Sequence, residues 1–205
     1  YIQHLLTLLR DKRTSCAMFR SILEELGVFI AYEIARDLDY DEIVVETPIN
    51  TARGVRFSEN VVLICVLRAA LPLINGMLRV FKDASIGLIA AKRIESEGSS
   101  LEFPIDVSYE RIPNINGRTV IIADPMLATG STMIKVISRI KARGVPKRIL
   151  VAIIIASEYG IRRVLDYHPD VKIYAVAIDK KLNSKGYSVP GLGDAGDRAF
   201  CTEED

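Results

Sequence analysis

The stretch Val120–Thr132, Val-Ile-Ile-Ala-Asp-Pro-Met-Leu-Ala-Thr-Gly-Ser-Thr, limits the fold more than any other part of the chain. Val120 to Ala123 is an apolar run with the length of a strand buried on both faces, the pattern of a parallel sheet. Asp124 is therefore expected just past the carboxyl end of that strand, where open α/β sheets bind ligands. Ala128, Thr129, Gly130, Ser131 and Thr132 then crowd into one turn, and Met133, Ile134, Val136, Ile137 and Ile140 follow at helical spacing. Gly130 removes a Cβ from the turn, the first N–H groups of the helix have no partner within it, and three hydroxyls add donors, so the turn suits an anion. Thr129 or Ser131 would also serve in a plain helix cap. This is no Walker loop, since no Lys-Ser or Lys-Thr pair closes it. A carboxylate placed ahead of the turn can instead accept hydrogen bonds from vicinal hydroxyls, so one segment can hold a sugar and its phosphate.

Strand-like and helix-like segments alternate along the chain, which predicts βαβ units, a mainly parallel central sheet flanked by helices, and right-handed crossovers. The expected core strands are 61–66, 85–91, 119–123, 148–156 and 171–178, with helices near 71–81, 131–143 and 158–167. Phe19, Ile22, Leu23, Leu26, Ile30, Ile34 and Leu38 recur at three and four, predicting an amphipathic helix over 15–38. Residues 42–47 and 54–57 read as a β-hairpin arm spanning about 42–57. Two segments interrupt the rhythm, 95–116 and the glycine-rich tail 182–200, and both are expected to be loops that cover a site. A chain of 205 residues, 49% hydrophobic, can bury its core in one domain covering residues 1–205.

Composition narrows the partners. The net charge is +1, with 27 basic against 26 acidic residues, which gives no general attraction for nucleic acid or an anionic membrane. Cys16, Cys65 and Cys201 are odd in number and scattered; they read as small apolar filler in a reducing cytoplasm. No apolar run reaches membrane-spanning length.

Two more sites follow from strand ends. Val62–Leu73 repeats the strand-to-helix layout, and Arg68 stands where exposed N–H groups and a guanidinium would meet a second phosphate cluster. Arg93, rather than its neighbour Lys92, is expected at another strand's carboxyl end. His4 and His168 lie outside these motifs, and His168 reads as a helix cap or surface residue.

Asp-Pro-Met-Leu-Ala-Thr-Gly (124–130) resembles the phosphoribosyl diphosphate (PRPP) signature of type I phosphoribosyltransferases, in its uracil phosphoribosyltransferase form. Leu-Arg-Ala-Ala-Leu (67–71) and the tail Gly-Tyr-x-x-Pro-Gly-Leu-Gly-Asp-Ala-Gly-Asp (186–197) are similar to the same family, as are Arg10–Thr14, Phe19-Arg20, Tyr32-Glu33, Ala177–Asp179 and Leu182-Asn183. Archaeal members are resembled most, through Ala-Ala-Leu-Pro after Arg68, Ser-Glu-Tyr-Gly at 157–160 and the Asp-Arg-Ala-Phe ending. The resemblance implies a type I phosphoribosyltransferase-like fold with a C-terminal base-binding hood, and transfer of phosphoribose from PRPP to N1 of uracil in pyrimidine salvage. It implies PRPP contacts from Arg68, Arg93, Asp124, Pro125, Met126, Leu127, Ala128, Thr129, Gly130, Ser131, Thr132 and Asp194. It further implies uracil contacts from Ser188, Gly193, Asp194 and Ala195, with Arg68 and Asp194 as catalytic residues. Mg²⁺ would be carried mainly by PRPP and touched by Asp194. The residues 95–116 would form a lid that excludes water.

Two positions depart from the family pattern. Ala70 replaces a usual Gly, so any backbone outlier of the pyrophosphate loop is expected near Arg68 and Ala69, and Ser131 stands where many members have Gly. Asp197 and Arg198 are expected to form a local ion pair. Some members respond to GTP and CTP, but Ser21, Glu24, Glu25 and Val28 give the first long helix no basic patch. The arm and the apolar first helix predict a homodimer or homotetramer. The rival readings are a transferase for another nucleobase and a non-enzymatic PRPP-sensing regulator that binds nucleic acid.

Overall fold

The computed structural model describes residues 1–94 and 103–202. Two helices open the chain, α1 (Ile2–Arg10) and α2 (Cys16–Ala35), the second started by the Ser15 side chain accepting from the Met18 N–H. The hairpin β1 (Tyr40–Glu46) and β2 (Thr51–Phe57) stands apart as a two-stranded sheet. The α/β body follows as β3 (Val61–Leu67), α3 (Leu71–Met77), β4 (Ser85–Arg93), β5 (Ile105–Arg111), β6 (Thr119–Leu127), α4 (Ser131–Lys141), β7 (Arg148–Ser157), α5 (Glu158–Tyr167) and β8 (Lys172–Asp179). A small ribbon, β9 (Lys181–Leu182) and β10 (Ser188–Val189), and the helix α6 (Ala195–Phe200) complete it.

The main sheet has six strands in the order β5-β4-β3-β6-β7-β8, parallel except for β5. The central strands β3, β6 and β7 bury both faces, and their alternation sorts side chains between two cores. On β3, Leu63 and Cys65 join Leu23, Leu26 and Ile34 of α2, whereas Val62, Ile64 and Val66 join Val136, Ile137 and Ile140 of α4. Continuous apolar strands are what a sheet covered by helices on both sides requires.

The expected body strands and helices are all present, with shifted ends. α1 was not expected, because nine residues with no N-terminal side-chain cap carry little local signal; packing of Leu5, Leu6 and Leu9 into the first core holds it. α3 ends at Met77. The segment 95–116 is not simply a loop: 105–111 form β5, an antiparallel edge strand on β4, while 95–102 lie outside the described residues. The tail likewise contains a ribbon and a helix. Cys16 and Cys201 form a disulfide with their Cα atoms 5.8 Å apart, which corrects the reading of all three cysteines as filler; only Cys65 is a free buried thiol. Their pairing was hidden because 185 residues separate them. His168 caps the end of α5 and is buried against Ser138 and the Ile134 carbonyl, so it is a cap and not a surface residue.

At the amino-terminal edge of the sheet, the Glu59 carboxylate is 1% exposed and is held by Arg148 at 2.5 Å, Lys147 at 3.3 Å and the Thr119 hydroxyl. Buried charge with several partners is stable only while the set stays complete. The chemistry-bearing residues gather at the opposite edge.

Candidate active site

The chain leaves β3 toward β4 on one side and later returns to place β6 on the other, so strand order reverses between β3 and β6. Ligands of open α/β sheets bind in the crevice such a reversal leaves at the carboxyl ends. Pairing between β3 and β6 stops at Cys65 and Ala123, while β6 continues against β7 as far as Leu127. Asp124 is thus inside the strand, paired with Ile153, and not beyond its end as expected. The strand carries on along β7 alone; Pro125, which has no N–H, interrupts the ladder without ending it. On the β3 side Asp124 flanks the crevice.

Burial pushes the Asp124 carboxyl up to about 7, outweighing the opposing bond from the Met126 N–H at 3.2 Å, and the nearby Asp194 charge makes a smaller addition to the rise. A raised carboxyl pKa means that the protonated form stabilises the fold fully below the unfolded value near 4, and that this contribution is lost as pH rises through about 7. Cys65, one strand over, has its thiol pushed up to about 12 by burial and is no nucleophile at neutral pH.

Beyond β6 the turn closes on Gly130, whose φ of 82° is left-handed and favours glycine. The start of α5 forms the floor: a Cβ on Gly160 would sit 2.4 Å from the Ala128 carbonyl oxygen, so only glycine lets helix and turn meet. The Ser157 hydroxyl donates to that same carbonyl at 2.5 Å and accepts from the Gly160 N–H at 2.8 Å, tying turn to helix. Thr129 and Ser131 are buried here, and Thr129 Oγ1 donates to Ser131 Oγ at 3.3 Å.

β3 ends in a Leu67–Arg68 peptide that is cis. Ala70 starts α3 with ordinary αR dihedrals and accommodates its Cβ. Arg68 is exposed and its Nη2 donates to Asp197 Oδ1 at 3.0 Å. This corrects the expected Asp197–Arg198 pair. Arg198 instead donates to the carbonyls of Leu9, Asp11 and Leu192 and lies over the Phe19 ring, which ties the tail to α1 and α2. Sequence proximity suggested the wrong partner because the α6 helix turns the two side chains in different directions.

Arg93, at the end of β4, is half-buried, donates to the Lys185 carbonyl at 2.7 Å and lies 3.4 Å from the Phe103 ring centre, while Lys92 is exposed. Thus Arg93 links the tail to the segment after the undescribed residues. At the end of β8, Asp179 accepts from the Gly191 N–H at 2.9 Å and from Arg10 at 2.7 Å, and Arg10 also donates to the Gly191 carbonyl. Burial alone would raise Asp179, but these bonds prevail and hold it below the ordinary carboxylate value. This anchor shapes the loop holding Ser188, which is buried, and Gly193 and Asp194, which are exposed. Asp194 caps α6 by accepting from the Asp197 N–H at 2.9 Å, and Ala195 opens that helix, so its N–H has no partner within it.

The profile of the uracil phosphoribosyltransferase family matches residues 1–202. The chain belongs to that family. A uracil phosphoribosyltransferase of Sulfurisphaera tokodaii is 50% identical over 204 residues, covering 96% of this chain and 94% of the relative. One from Pyrococcus furiosus is 46% identical, covering 98% and 86%. Among solved structures, a protein from Aquifex aeolicus superposes with a TM-score of 0.90 at 34% identity, covering 100% of this chain and 96% of that one. A hypoxanthine-guanine phosphoribosyltransferase from Bacillus anthracis, at TM-score 0.51 and 16% identity, covering 85% and 90%, shares the fold alone.

The strand ends and the tail that sequence pointed to do come to one edge of the sheet, where Arg68 meets Asp197 and Arg93 meets the Lys185 carbonyl. What the sequence did not single out was Arg163, on the floor under the turn, since an Arg162-Arg163 pair on a helix gives no local sign of which side chain faces inward.

Proposed function

We propose that the protein transfers the 5-phosphoribosyl group of PRPP to N1 of uracil, forming UMP and pyrophosphate. The observation that carries this reading is the strand-order reversal between β3 and β6, to which the tail is tied by Arg68 on Asp197, by Arg93 on the Lys185 carbonyl and by Asp194 beside Asp124. The turn takes the 5′-phosphate, Asp124 takes the ribose hydroxyls, and Arg68 and Arg93 take the pyrophosphate. As the bond from C1 to pyrophosphate breaks, negative charge grows on the leaving group, and fixed guanidinium groups stabilise it more than they stabilise the substrate. Holding the sugar by both ends keeps C1 in line with N1.

Uracil presents an N3–H donor between two carbonyl acceptors. The Ser188 carbonyl and the N–H groups of Gly193 and Ala195 match that edge, and cytosine would leave buried groups unpaired at a cost of about 1–3 kcal/mol each. Asp194 lies close enough for its charge to raise the proton affinity of Asp124, and two neighbouring carboxylates fit a shared Mg²⁺. Among the described residues no three His, Cys, Asp or Glu side chains converge, so most ligands of that ion would come from PRPP. Bound there, Mg²⁺ would neutralise charge on the pyrophosphate.

The hairpin arm exposes Val44, Ile49 and Val55, at 68%, 97% and 62%. A lone two-stranded ribbon is marginal in water, so these side chains fit a second copy of the chain in a homodimer or homotetramer. GTP or CTP would need a basic surface that Ser21, Glu24, Glu25 and Val28 do not offer, and Glu24 is already engaged by Arg79. No helix of the described residues is long and apolar enough to cross a membrane.

The test is product analysis with PRPP, Mg²⁺ and uracil, orotate or hypoxanthine in turn. UMP from uracil is expected; preferential use of orotate or the purine would overturn the reading.

Asp124 gives a second check. With its carboxyl near 7 in the free protein, ribose hydroxyls that bind the charged form should pull its pKa down. Calorimetry in buffers of different ionisation heat should then find more proton release on PRPP binding at pH 6 than at pH 8. Asp124→Asn should remove that excess, and an identical pH dependence in wild type and variant would refute the assignment.

A further inference from the structure

We infer that Arg163 positions the turn that holds the 5′-phosphate and makes it selective for an anion, an inference that rests on the PRPP reading above. Arg163 lies on α5, beneath the turn that Gly160 brings into contact. Its Nη1 donates to the Thr129 carbonyl at 2.8 Å and to Ser131 Oγ at 3.1 Å. Its neighbour Arg162 is a contrast: its side chain is 77% exposed and pairs with Glu158 one helical turn away.

Two consequences follow from this geometry. A carbonyl oxygen turned into a phosphate-binding turn would repel the guest, and the guanidinium holds the Thr129 carbonyl on the α5 side instead. Ser131 Oγ accepts from Arg163, from Thr129 Oγ1 at 3.3 Å and, at 3.5 Å, from the Phe103 N–H. A hydroxyl has two acceptor sites and one hydrogen. With both acceptor sites in use, the remaining capacity of Ser131 is as a donor, which suits a phosphate oxygen and not a hydroxyl or amide N–H of a guest. The fixed positive charge beside buried groups acts in a medium less screening than water and adds to the N-terminus of α4, which starts at Ser131. Ser131 stands where the resembling sequences often have Gly, so in this chain the arginine and the serine hydroxyl work together.

The role is one of positioning, since Arg163 reaches the guest through the turn. Arg163→Met should raise both KM and Kd for PRPP about tenfold or more, the loss expected when charge-assisted hydrogen bonds are removed. Arg163→Lys keeps the charge but not the planar fork and should fall between the two. Uracil KM, kcat at saturating PRPP and Kd for pyrophosphate should stay within about twofold of wild type, because Arg68 and the tail are untouched. A purely structural role would change all of these together and lower the melting temperature of both variants.

The experiment measures steady-state constants for wild type and both variants, with calorimetric Kd values for PRPP and pyrophosphate and a melting curve for each. A PRPP Kd within twofold of wild type in Arg163→Met overturns the inference, as does an equal rise in the pyrophosphate Kd. If wild type binds PRPP but makes no UMP, the uracil reading has failed, and the PRPP Kd values alone decide the part played by Arg163.

Discussion

Replacing Arg68 by alanine is expected to lower kcat by two to three orders of magnitude, the usual cost of removing one fixed donor from a developing negative charge. On the proposed assignment of base recognition to the tail, the uracil KM should change little. The fold should also survive. Arg68 is exposed, and its partner contact is the Asp197 carboxylate at 3.0 Å, with side-chain exposures of 55% and 34%. An exposed pair of this kind contributes about 0–1 kcal/mol. On the proposed reading, a pyrophosphate would draw the guanidinium away from Asp197. Steady-state kinetics with a melting curve tests both halves, and a kcat within fivefold of wild type would remove Arg68 from the leaving-group site.

The disulfide carries the largest effect expected on stability. Cys16 begins α2 and Cys201 ends α6, so the bond closes a loop of 185 residues. Loop-closure entropy puts the stabilisation at about 5 kcal/mol for a ring of that size, which for a chain of this length corresponds to about 10–15 °C in melting temperature. Reduction with a dithiol, or Cys201→Ser, should show most of that shift. In the folded state the tail is also held by Arg198 on three carbonyls and by Arg20 on the Ala199 carbonyl at 2.7 Å, so opening the bond should lower stability and leave the fold in place. A shift below about 2 °C would mean that the cross-link constrains the unfolded chain far less than its loop length implies.

Legibility followed range. The apolar runs of β3, β6 and β7, the spacing of α4, and the Gly130 turn are all set within a dozen residues, so their period and composition were sufficient. The glycine-rich tail could be placed at the site, but its α6 helix could not be read, because six residues with glycine and aspartate have little intrinsic helical preference. β5 was missed for a related reason: an edge strand with one exposed face needs less apolar sequence than a buried strand.

From sequence alone came the local chemistry: an acid, a hydroxyl-rich turn and strand-end arginines, each dictated by neighbours along the chain. Tertiary structure decided the partners. It set Arg68 against Asp197, joined Cys16 to Cys201, brought Asp194 near enough to raise Asp124, and put Arg163 under Thr129 and Ser131. Those pairings depend on which strand ends a parallel sheet brings side by side, and strand order is fixed by the packing of two whole cores, a property that no short window of residues contains.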